Sequence, residues 1–430
     1  MAQNRAVIQR RQLLTATAAV GLTAAAGVPV LSARAEAAVG PSALPAPGKS
    51  GIEHIVLVMM ENRSFDHFLG WLPGARGIQS GLTFTDRYGV RHRTHHLTEP
   101  ASCGSADPDH SYEGGRIELN GGRCDGWLKA GENDALAVGY YRQADLGFFG
   151  KAAPYWTACD RYFSAVMAET YPNRLYQHSA QTDRLHNSTD ISKLPTIWDR
   201  CKAAGVSAKY YYSDIPFLAL WGEKYLPISD SFTRFKLDCA AGNLPKVSFV
   251  DPSFNGEADG ISGDDHPHAD IRVGEKFLAD VYTAVSTGPG WDKTMLIINF
   301  DEWGGFFDHT APASVPDVSP RTALRGFRVP ALVISPRGRR HFVAPWNYDH
   351  TSILRAIEWR WGLKPLTPRD AHTRNIAEVL DFSRPPNLAA PTISVAPVVP
   401  VPCEAPAGAS PENEWTDLRA LALHHGWSIP

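Results

Sequence analysis

Hydrophobic positions along this chain fall into a few short, dense runs set between long polar stretches. Ile52-Glu53-His54-Ile55-Val56-Leu57-Val58-Met59-Met60 is the first run, Met295 to Phe300 the second and Val329 to Ile334 the third. A weaker one spans Lys246 to Val250. Runs this short and continuous suit strands buried on both faces of a parallel sheet. Elsewhere apolar residues recur at helical spacing. Ala269 to Val285 carries Ile271, Phe277, Leu278, Val281, Tyr282 and Val285 in that pattern. Thr351 to Trp361 places Ile353, Leu354, Ile357 and Trp361 on one face, behind a capping Asp349. Thr196 to Ala204 predicts a shorter helix. Strands alternating with helices predict an α/β fold with a mostly parallel central sheet and helices on both faces.

Three regions depart from this pattern. Residues 76–160 are rich in Gly, Asp, His and Arg and show no clear period. They predict a long insertion over the carboxyl edge of the sheet, the kind of segment that carries substrate contacts. Residues 385–408 are Pro-rich and read as extended. A small helix follows, with Ser410 as N-cap, Pro411 at its first position and Gly426 beyond its end.

The N-terminus reads as an export signal. Arg10-Arg11-Gln12-Leu13-Leu14 precedes an Ala/Val/Leu/Thr stretch, and small residues flank cuts after Ala35 or Ala37. Twin arginines in that place indicate the route taken by folded proteins. A membrane anchor fits less well, because the stretch is weakly hydrophobic and ends in A-x-A-like sites. No later segment is apolar enough to span a bilayer. The expected division is an export signal over 1–38, a linker over 39–50, the α/β domain over 51–385 and a Pro-rich extension with a short helix over 386–430. The predicted location is secreted or cell-surface.

Composition narrows the function. With 43% apolar and 20% charged residues the chain can bury a sizeable core. A net charge of -3 and the lack of a basic run argue against a nucleic-acid partner. Cys103, Cys124, Cys159, Cys201, Cys239 and Cys403 form no C-x-x-C pair, so they read as structural rather than zinc-binding. Their pairing is open.

Chemistry is concentrated at strand ends. Glu61-Asn62 follows the first strand and Asp301-Glu302 follows the second. Ligands of open parallel sheets bind outside the carboxyl ends of the strands, so both pairs can converge there. Carboxylates with an amide oxygen make a hard site for a divalent cation. One such pair alone is more simply a helix cap; two pairs on two strands favour metal. Glu169-Thr170-Tyr171-Pro172 places Thr170 at or just before a helix N-terminus, where amides and the dipole favour an anion. Near a metal, that hydroxyl is a competent nucleophile toward phosphorus; without one it is a plain cap. His110, in Asp107-Pro108-Asp109-His110-Ser111, and His266, in Asp264 to Asp270, can meet phosphoryl oxygens or a leaving alkoxide.

Taken together, these segments resemble one family. Glu61-Asn62-Arg63-Ser64-Phe65-Asp66-His67-Phe68-Leu69-Gly70 is similar to the signature of the non-specific phospholipases C and related acid phosphatases, within the alkaline-phosphatase-like superfamily. Thr170-Tyr171-Pro172-Asn173-Arg174 resembles its nucleophile motif. Asp264 to Asp270, Asp301-Glu302-Trp303-Gly304-Gly305-Phe306-Phe307-Asp308-His309 and Asp349 to Leu354 resemble its later motifs, in order, over about residues 50–385.

The resemblance implies an alkaline-phosphatase-like fold. It makes Glu61, Asn62, Thr170, Asp301 and Glu302 ligands of a divalent metal of unassigned identity. Thr170 becomes the nucleophile, and His110 and His266 contact the phosphoryl group or leaving oxygen. Trp303 stands where the family often has histidine. The implied substrate is a phospholipid or small phosphate ester, which leaves room for transient contact with a membrane surface. Phospholipase C is the leading activity and acid phosphatase the alternative. An inactive secreted binding protein on the same fold is the reading from another class; no motif is degenerate, which weighs against it. A glycosidase would leave Thr170 and the histidines unexplained. Trp127, Trp156 and Trp303 are expected in the core, with an aromatic head-group pocket as the sharper reading. His309 is expected to order the loop after the glycines.

Replacing Arg10 and Arg11 together by lysine should trap precursor inside the cell, scored by fractionation and immunoblot. Undiminished export of the variant would assign the signal to the general secretory route instead.

Overall fold

The structure, a computed structural model, describes residues 40–257, 259–403 and 414–429. The export signal, with Arg10, Arg11 and both cleavage sites, lies outside the described residues, as do Ser410 and Pro411. Among the described residues, eight strands form the main sheet: β1 (His54–Met60), β2 (Thr157–Cys159), β3 (Ala208–Tyr212), β4 (Ser229–Ser231), β5 (Val247–Asp251), β6 (Thr294–Phe300), β7 (Ala331–Ile334) and β8 (Phe342–Ala344). Their order is β8-β2-β7-β6-β1-β5-β3-β4. The four apolar runs are β1, β5, β6 and β7. The first three are contiguous at the centre, and β5 and β6 are buried along their whole length.

One strand runs against the expectation of a parallel sheet. β7 is antiparallel to both β6 and β2, while every other pairing is parallel. A parallel neighbour requires a crossover that returns the chain to the strand's starting end. The segment 301–330 contains no helix and no named strand, so the chain turns back from the carboxyl edge and re-enters antiparallel. The fold class is nonetheless α/β with a mostly parallel sheet.

The helices that matter to the site are α1 (Phe65–Leu69), α2 (Thr170–Ser179), α3 (Ile197–Ala203), α4 (Ile271–Thr287), α5 (His350–Trp361) and α6 (Glu414–His424). Their starts follow local side-chain chemistry. The Asp270 carboxylate accepts from the Arg272 amide at 3.0 Å, and that of Asp349 from the Thr351 amide at 3.0 Å. Thr196 caps α3 by accepting from the Asp199 amide at 3.3 Å. Gly426, past α6, has φ 79°.

Residues 76–160 are less shapeless than their composition predicts. They hold a small hairpin, short helices at Gly114–Leu119 and Phe149–Tyr155, and β2 of the main sheet. Their apolar residues feed a second cluster that includes Phe84, Trp127, Trp303, Phe307 and Phe327. Trp127, Trp156 and Trp303 are all fully buried, so the core reading holds for them. A disulfide joins Cys103 in this segment to Cys403 in the Pro-rich stretch, with Cα atoms 5.2 Å apart. Cys124, Cys159, Cys201 and Cys239 are buried thiols.

His178 sits near the end of α2 among Trp198, Phe217 and Phe249, with ring centroids at 5.8, 5.7 and 4.9 Å. Burial, reinforced by the charge of Arg174, lowers its pKa to about 3. The unfolded chain binds a proton at about 6.5. Between these values the unfolded state holds the extra proton, so stability is lost as the pH is lowered, by up to about 1.4 kcal/mol per pH unit. His178→Phe should remove this acid sensitivity. Denaturant midpoints of the two proteins should diverge from pH 6.5 down toward 3; parallel profiles would refute the assignment.

Candidate active site

The carboxyl edge of the sheet is where the acids meet. Met60 of β1 pairs with Phe300 of β6, so the next residues, Glu61 and Asp301, leave the sheet side by side. The Asp301 amide donates to the Met60 carbonyl at 3.0 Å, extending the ladder by one bond. On the other flank of β1, β5 delivers Asp251 to the same edge. Glu61, Asn62, Thr170, Asp301 and Glu302 are all fully buried.

Backbone geometry then folds the two acidic segments onto each other. Asn62 adopts a left-handed φ of 57°, which asparagine tolerates better than most residues. Its amide donates to Asp301 Oδ1 at 3.0 Å, and the Glu302 amide donates to the same oxygen at 2.6 Å. Gly304 has φ 62°, and a Cβ there would lie 2.2 Å from the Asn62 carbonyl oxygen. Only glycine allows this approach. The Gly304 amide donates to Glu302 Oε2 at 2.7 Å.

α2 enters from the opposite side. Thr170 is its first residue, and its Oγ1 lies 3.4 Å from Glu61 Oε2 and 3.4 Å from Asn62 Oδ1. The expectation of several free amides here is reduced. The Tyr171 amide donates to Asn187 Oδ1 at 2.8 Å, Pro172 has none, and the Asn173 amide donates to the Glu169 carbonyl at 3.4 Å. That leaves the amide of Thr170 itself as the donor this turn can offer an anion.

One turn on, Arg174 reaches back into the acids. Its Nη2 lies 2.7 Å from Glu61 Oε1, its Nη1 3.3 Å from Asp251 Oδ1 and its Nε 3.7 Å from Asp301 Oδ2. The guanidinium also lies 4.7 Å from the Phe254 ring centroid, and Phe254 stacks on Trp415 of α6 at 3.7 Å. Burial alone would lower the Arg174 pKa, yet Glu61, Asp251 and Asp301 together raise it.

Arg174 does not balance the charge. Three buried carboxylates, Glu61, Asp251 and Asp301, share the Arg174 guanidinium, and the buried Glu302 follows directly on Asp301. Burial raises the Asp301 carboxyl, which Arg174 partly offsets, and raises Glu302 well above its ordinary value, which His110 partly offsets. Asp301 Oδ2 and Glu302 Oε1 have no hydrogen-bond partner among the described residues. Buried carboxylate oxygens in that state fit a cation.

The histidines complete the wall. His110 Nδ1 donates to the Pro108 carbonyl at 2.8 Å, which leaves Nε2 as an acceptor, 3.4 Å from the side-chain Nδ2 of Asn62. His266 Nδ1 donates to the Pro267 carbonyl, and its Nε2 lies 3.4 Å from Glu257 Oε1 and 3.7 Å from Asp107 Oδ2. The two rings meet edge to face at 5.9 Å. Burial first, then His110, lowers the His266 pKa well below the usual histidine range.

All seven residues singled out in the sequence thus reach one buried region, but the tightest donor sets are different. Glu61, Glu257 and His266 form one group of donor atoms within 4.8 Å of one another, and Asp107, His110 and His266 form another. Asp301 and Glu302 belong to neither. Arg174 and Asp107 stood inside the quoted motifs without a role. Asp251 carried the signal of an acid ending an apolar run. Glu257, in a Gly/Asn loop, carried none. Trp303 donates to Glu118 Oε2 at 2.7 Å and faces the second apolar cluster, not the acids. His350 fastens the end of β6, bonding the Asp301 carbonyl through Nε2 at 2.6 Å.

Known proteins give this arrangement a class. The profile of the phosphoesterase family matches residues 52–364. Phospholipase C B of Mycobacterium tuberculosis is 33% identical over 470 residues, covering 89% of this chain and 88% of that one. Non-specific phospholipase C1 of Arabidopsis thaliana is 31% identical over 370 residues, covering 74% and 69%. The non-hemolytic phospholipase C of Pseudomonas aeruginosa is 29% identical, covering 80% and 60%. Among solved structures, a lipoteichoic acid synthase of Listeria monocytogenes superposes with TM-score 0.42 at 7% identity, covering 90% and 95%. A protein of the alkaline phosphatase superfamily from Vibrio parahaemolyticus gives 0.34 at 12%, covering 90% of each chain. Those superpositions are loose and carry no weight here. The chain belongs to the phosphoesterase family and is a hydrolase of phosphate ester bonds.

Removing the central cation should be costly. Arg174→Met would strand Glu61 and Asp251 without their partner and should destabilise the fold by about 3–5 kcal/mol, read from denaturant unfolding. Arg174→Lys should recover part of that loss. A methionine variant as stable as wild type would show that the acids are not charged in the folded state.

Proposed function

We propose that the chain is an exported phospholipase C that works through a phosphorylated Thr170. The carrying observation is the Thr170 hydroxyl, 3.4 Å from both Glu61 and Asn62 where the buried acids crowd. The names of its relatives support the phospholipid substrate, and Arg10-Arg11 supports export. In this reading Glu61, Asn62, Thr170, Asp301 and Glu302 hold a divalent cation. When bound, the cation offsets charge on the phosphoryl oxygens and lowers the pKa of the hydroxyl.

Thr170 Oγ1 attacks phosphorus, its proton passing to Glu61 Oε2. The bond from phosphorus to the diacylglycerol oxygen breaks, and that oxygen takes a proton from solvent as it leaves. The amide of Thr170 faces the phosphoryl oxygens. Water then attacks the phosphothreonine, the bond from phosphorus to Thr170 Oγ1 breaks, Thr170 Oγ1 takes back its proton from Glu61, and the phosphorylated head group is released. His266, held neutral by burial, suits the role of accepting that water's proton through Nε2, and His110 Nε2 stands beside it.

Thr170→Ala should fold and keep its metal but lose turnover by several orders of magnitude, and Thr170→Ser should keep part of it. Rapid quenching with substrate should leave phosphate on Thr170, detected by peptide mass analysis. An alanine variant with near-normal turnover would replace the covalent route by direct water attack. Chelator should abolish activity, and Asp301→Asn should lower metal content in elemental analysis without unfolding the protein. Full activity in metal-free enzyme would remove the cation from the scheme. A panel of phosphodiesters and phosphomonoesters separates phospholipase C from acid phosphatase: preference for monoesters would favour the latter.

A further inference from the structure

The insertion raises a small hairpin whose exposed end the chemistry above does not use. Thr83–Thr85 pairs antiparallel with Arg91–Arg93, in the register Thr83 to Arg93, Phe84 to His92 and Thr85 to Arg91. Side chains alternate across such a ribbon. Phe84 points inward and meets Phe307 at 6.1 Å between ring centroids. Arg91 and Arg93 therefore share the opposite face and are exposed.

The turn between the strands is held open by one carboxylate. Asp86 Oδ1 accepts from the amides of Tyr88 and Val90, each at 2.9 Å, and Oδ2 meets His92 Nε2 at 2.8 Å. The negative charge is thus turned into the loop and already engaged. Arg87 is drawn sideways to Glu132 at 3.1 Å, bracing the turn against the body. What the tip presents outward is Tyr88, 82% exposed, and Val90, 54% exposed, next to the charges of Arg91 and Arg93.

We infer that this hairpin docks the enzyme on an anionic phospholipid surface. Tyrosine places an apolar ring and a polar hydroxyl at the depth where acyl chains meet head groups. Val90 adds apolar contact, and the two outward arginines complement lipid phosphates. A rigid turn gives up little conformational freedom on docking. The base of the hairpin belongs to the same apolar cluster as Trp303, the residue after Glu302, so docking also orients the acidic edge relative to the membrane.

This inference rests on the phospholipase reading, and its test separates the two. The full chain is sedimented with vesicles of mixed phosphatidylcholine and phosphatidylglycerol, and with vesicles of phosphatidylcholine alone. Wild type should partition onto the mixed vesicles and leave them as salt is raised. Tyr88→Ser with Val90→Ser, and Arg91→Gln with Arg93→Gln, should each weaken that partition about tenfold or more. Both double variants should keep the wild-type thermal midpoint and hydrolyse a soluble chromogenic phosphodiester at the wild-type rate. Variants that bind mixed vesicles as well as wild type would overturn the inference. So would a wild type that binds neither vesicle, which would turn the patch toward a protein partner. Hairpin-dependent vesicle binding with no hydrolysis of any phosphodiester would sink the phospholipase reading while leaving the docking surface standing.

Discussion

Everything at the carboxyl edge of this sheet answers to an excess of buried negative charge. Glu61, Asp251, Asp301 and Glu302 are held within the protein, and Arg174 is the guanidinium set among them. Isolated charges in a low-dielectric interior are expensive unless paired and hydrogen-bonded. The surrounding backbone supplies what it can: the Asn62 and Glu302 amides on Asp301, and the Gly304 amide on Glu302. The left-handed turn at Asn62 and the glycine at 304 exist to bring those donors within reach. The remaining deficit leaves carboxylate oxygens of Asp301 and Glu302 without hydrogen-bond partners among the described residues, a state that suits a cation.

The same constraint reaches far along the chain. Arg174 lies one turn after Thr170, so the helix that pairs the acids also carries the hydroxyl to them. Phe254 covers the guanidinium and Trp415 covers Phe254, which ties α6 to the site although its residues lie outside the matched family region. His350, at the start of α5, holds the Asp301 carbonyl while its Nδ1 lies 3.2 Å from the Tyr162 hydroxyl.

The parts legible in the sequence are those with one dominant physical cause. β1, β5 and β6 are central strands, and burial on both faces writes them as apolar runs. β3, Ala208–Tyr212, has a half-exposed Lys209 and three tyrosines, whose hydroxyls find Asp251, Asp238 and the Ser428 carbonyl. Such a strand has no apolar run to read. β2 is three residues long inside a segment of loop composition. The reversal of β7 depends on the missing crossover after β6, which no local pattern records. At the site, residues joined to a motif could be named, whereas Glu257 is placed by a loop whose path only tertiary packing decides.

A second acid cluster shows why charge balance, rather than the presence of acids, distinguishes the first. Asp66, Asp308 and His309 also bring donor atoms within 4.8 Å of one another, and they come from the same two motifs. There Arg328 bonds Asp308 through Nε at 2.9 Å and Nη2 at 3.0 Å, and reaches Asp66 at 3.0 Å. Two carboxylates face one planar guanidinium with several donors, and His309 closes the remaining side at Asp66. The positive charge is built in, so this cluster reads as the brace that orders the loop after the glycines. Around Glu61 three carboxylates share one guanidinium, and carboxylate oxygens of Asp301 and Glu302 stay without hydrogen-bond partners among the described residues. The same residue types, in the same motifs, thus make an arginine-braced node in one place and an acid-rich edge that fits a cation in the other. What separates them is how many of the carboxylate oxygens an arginine fork already engages.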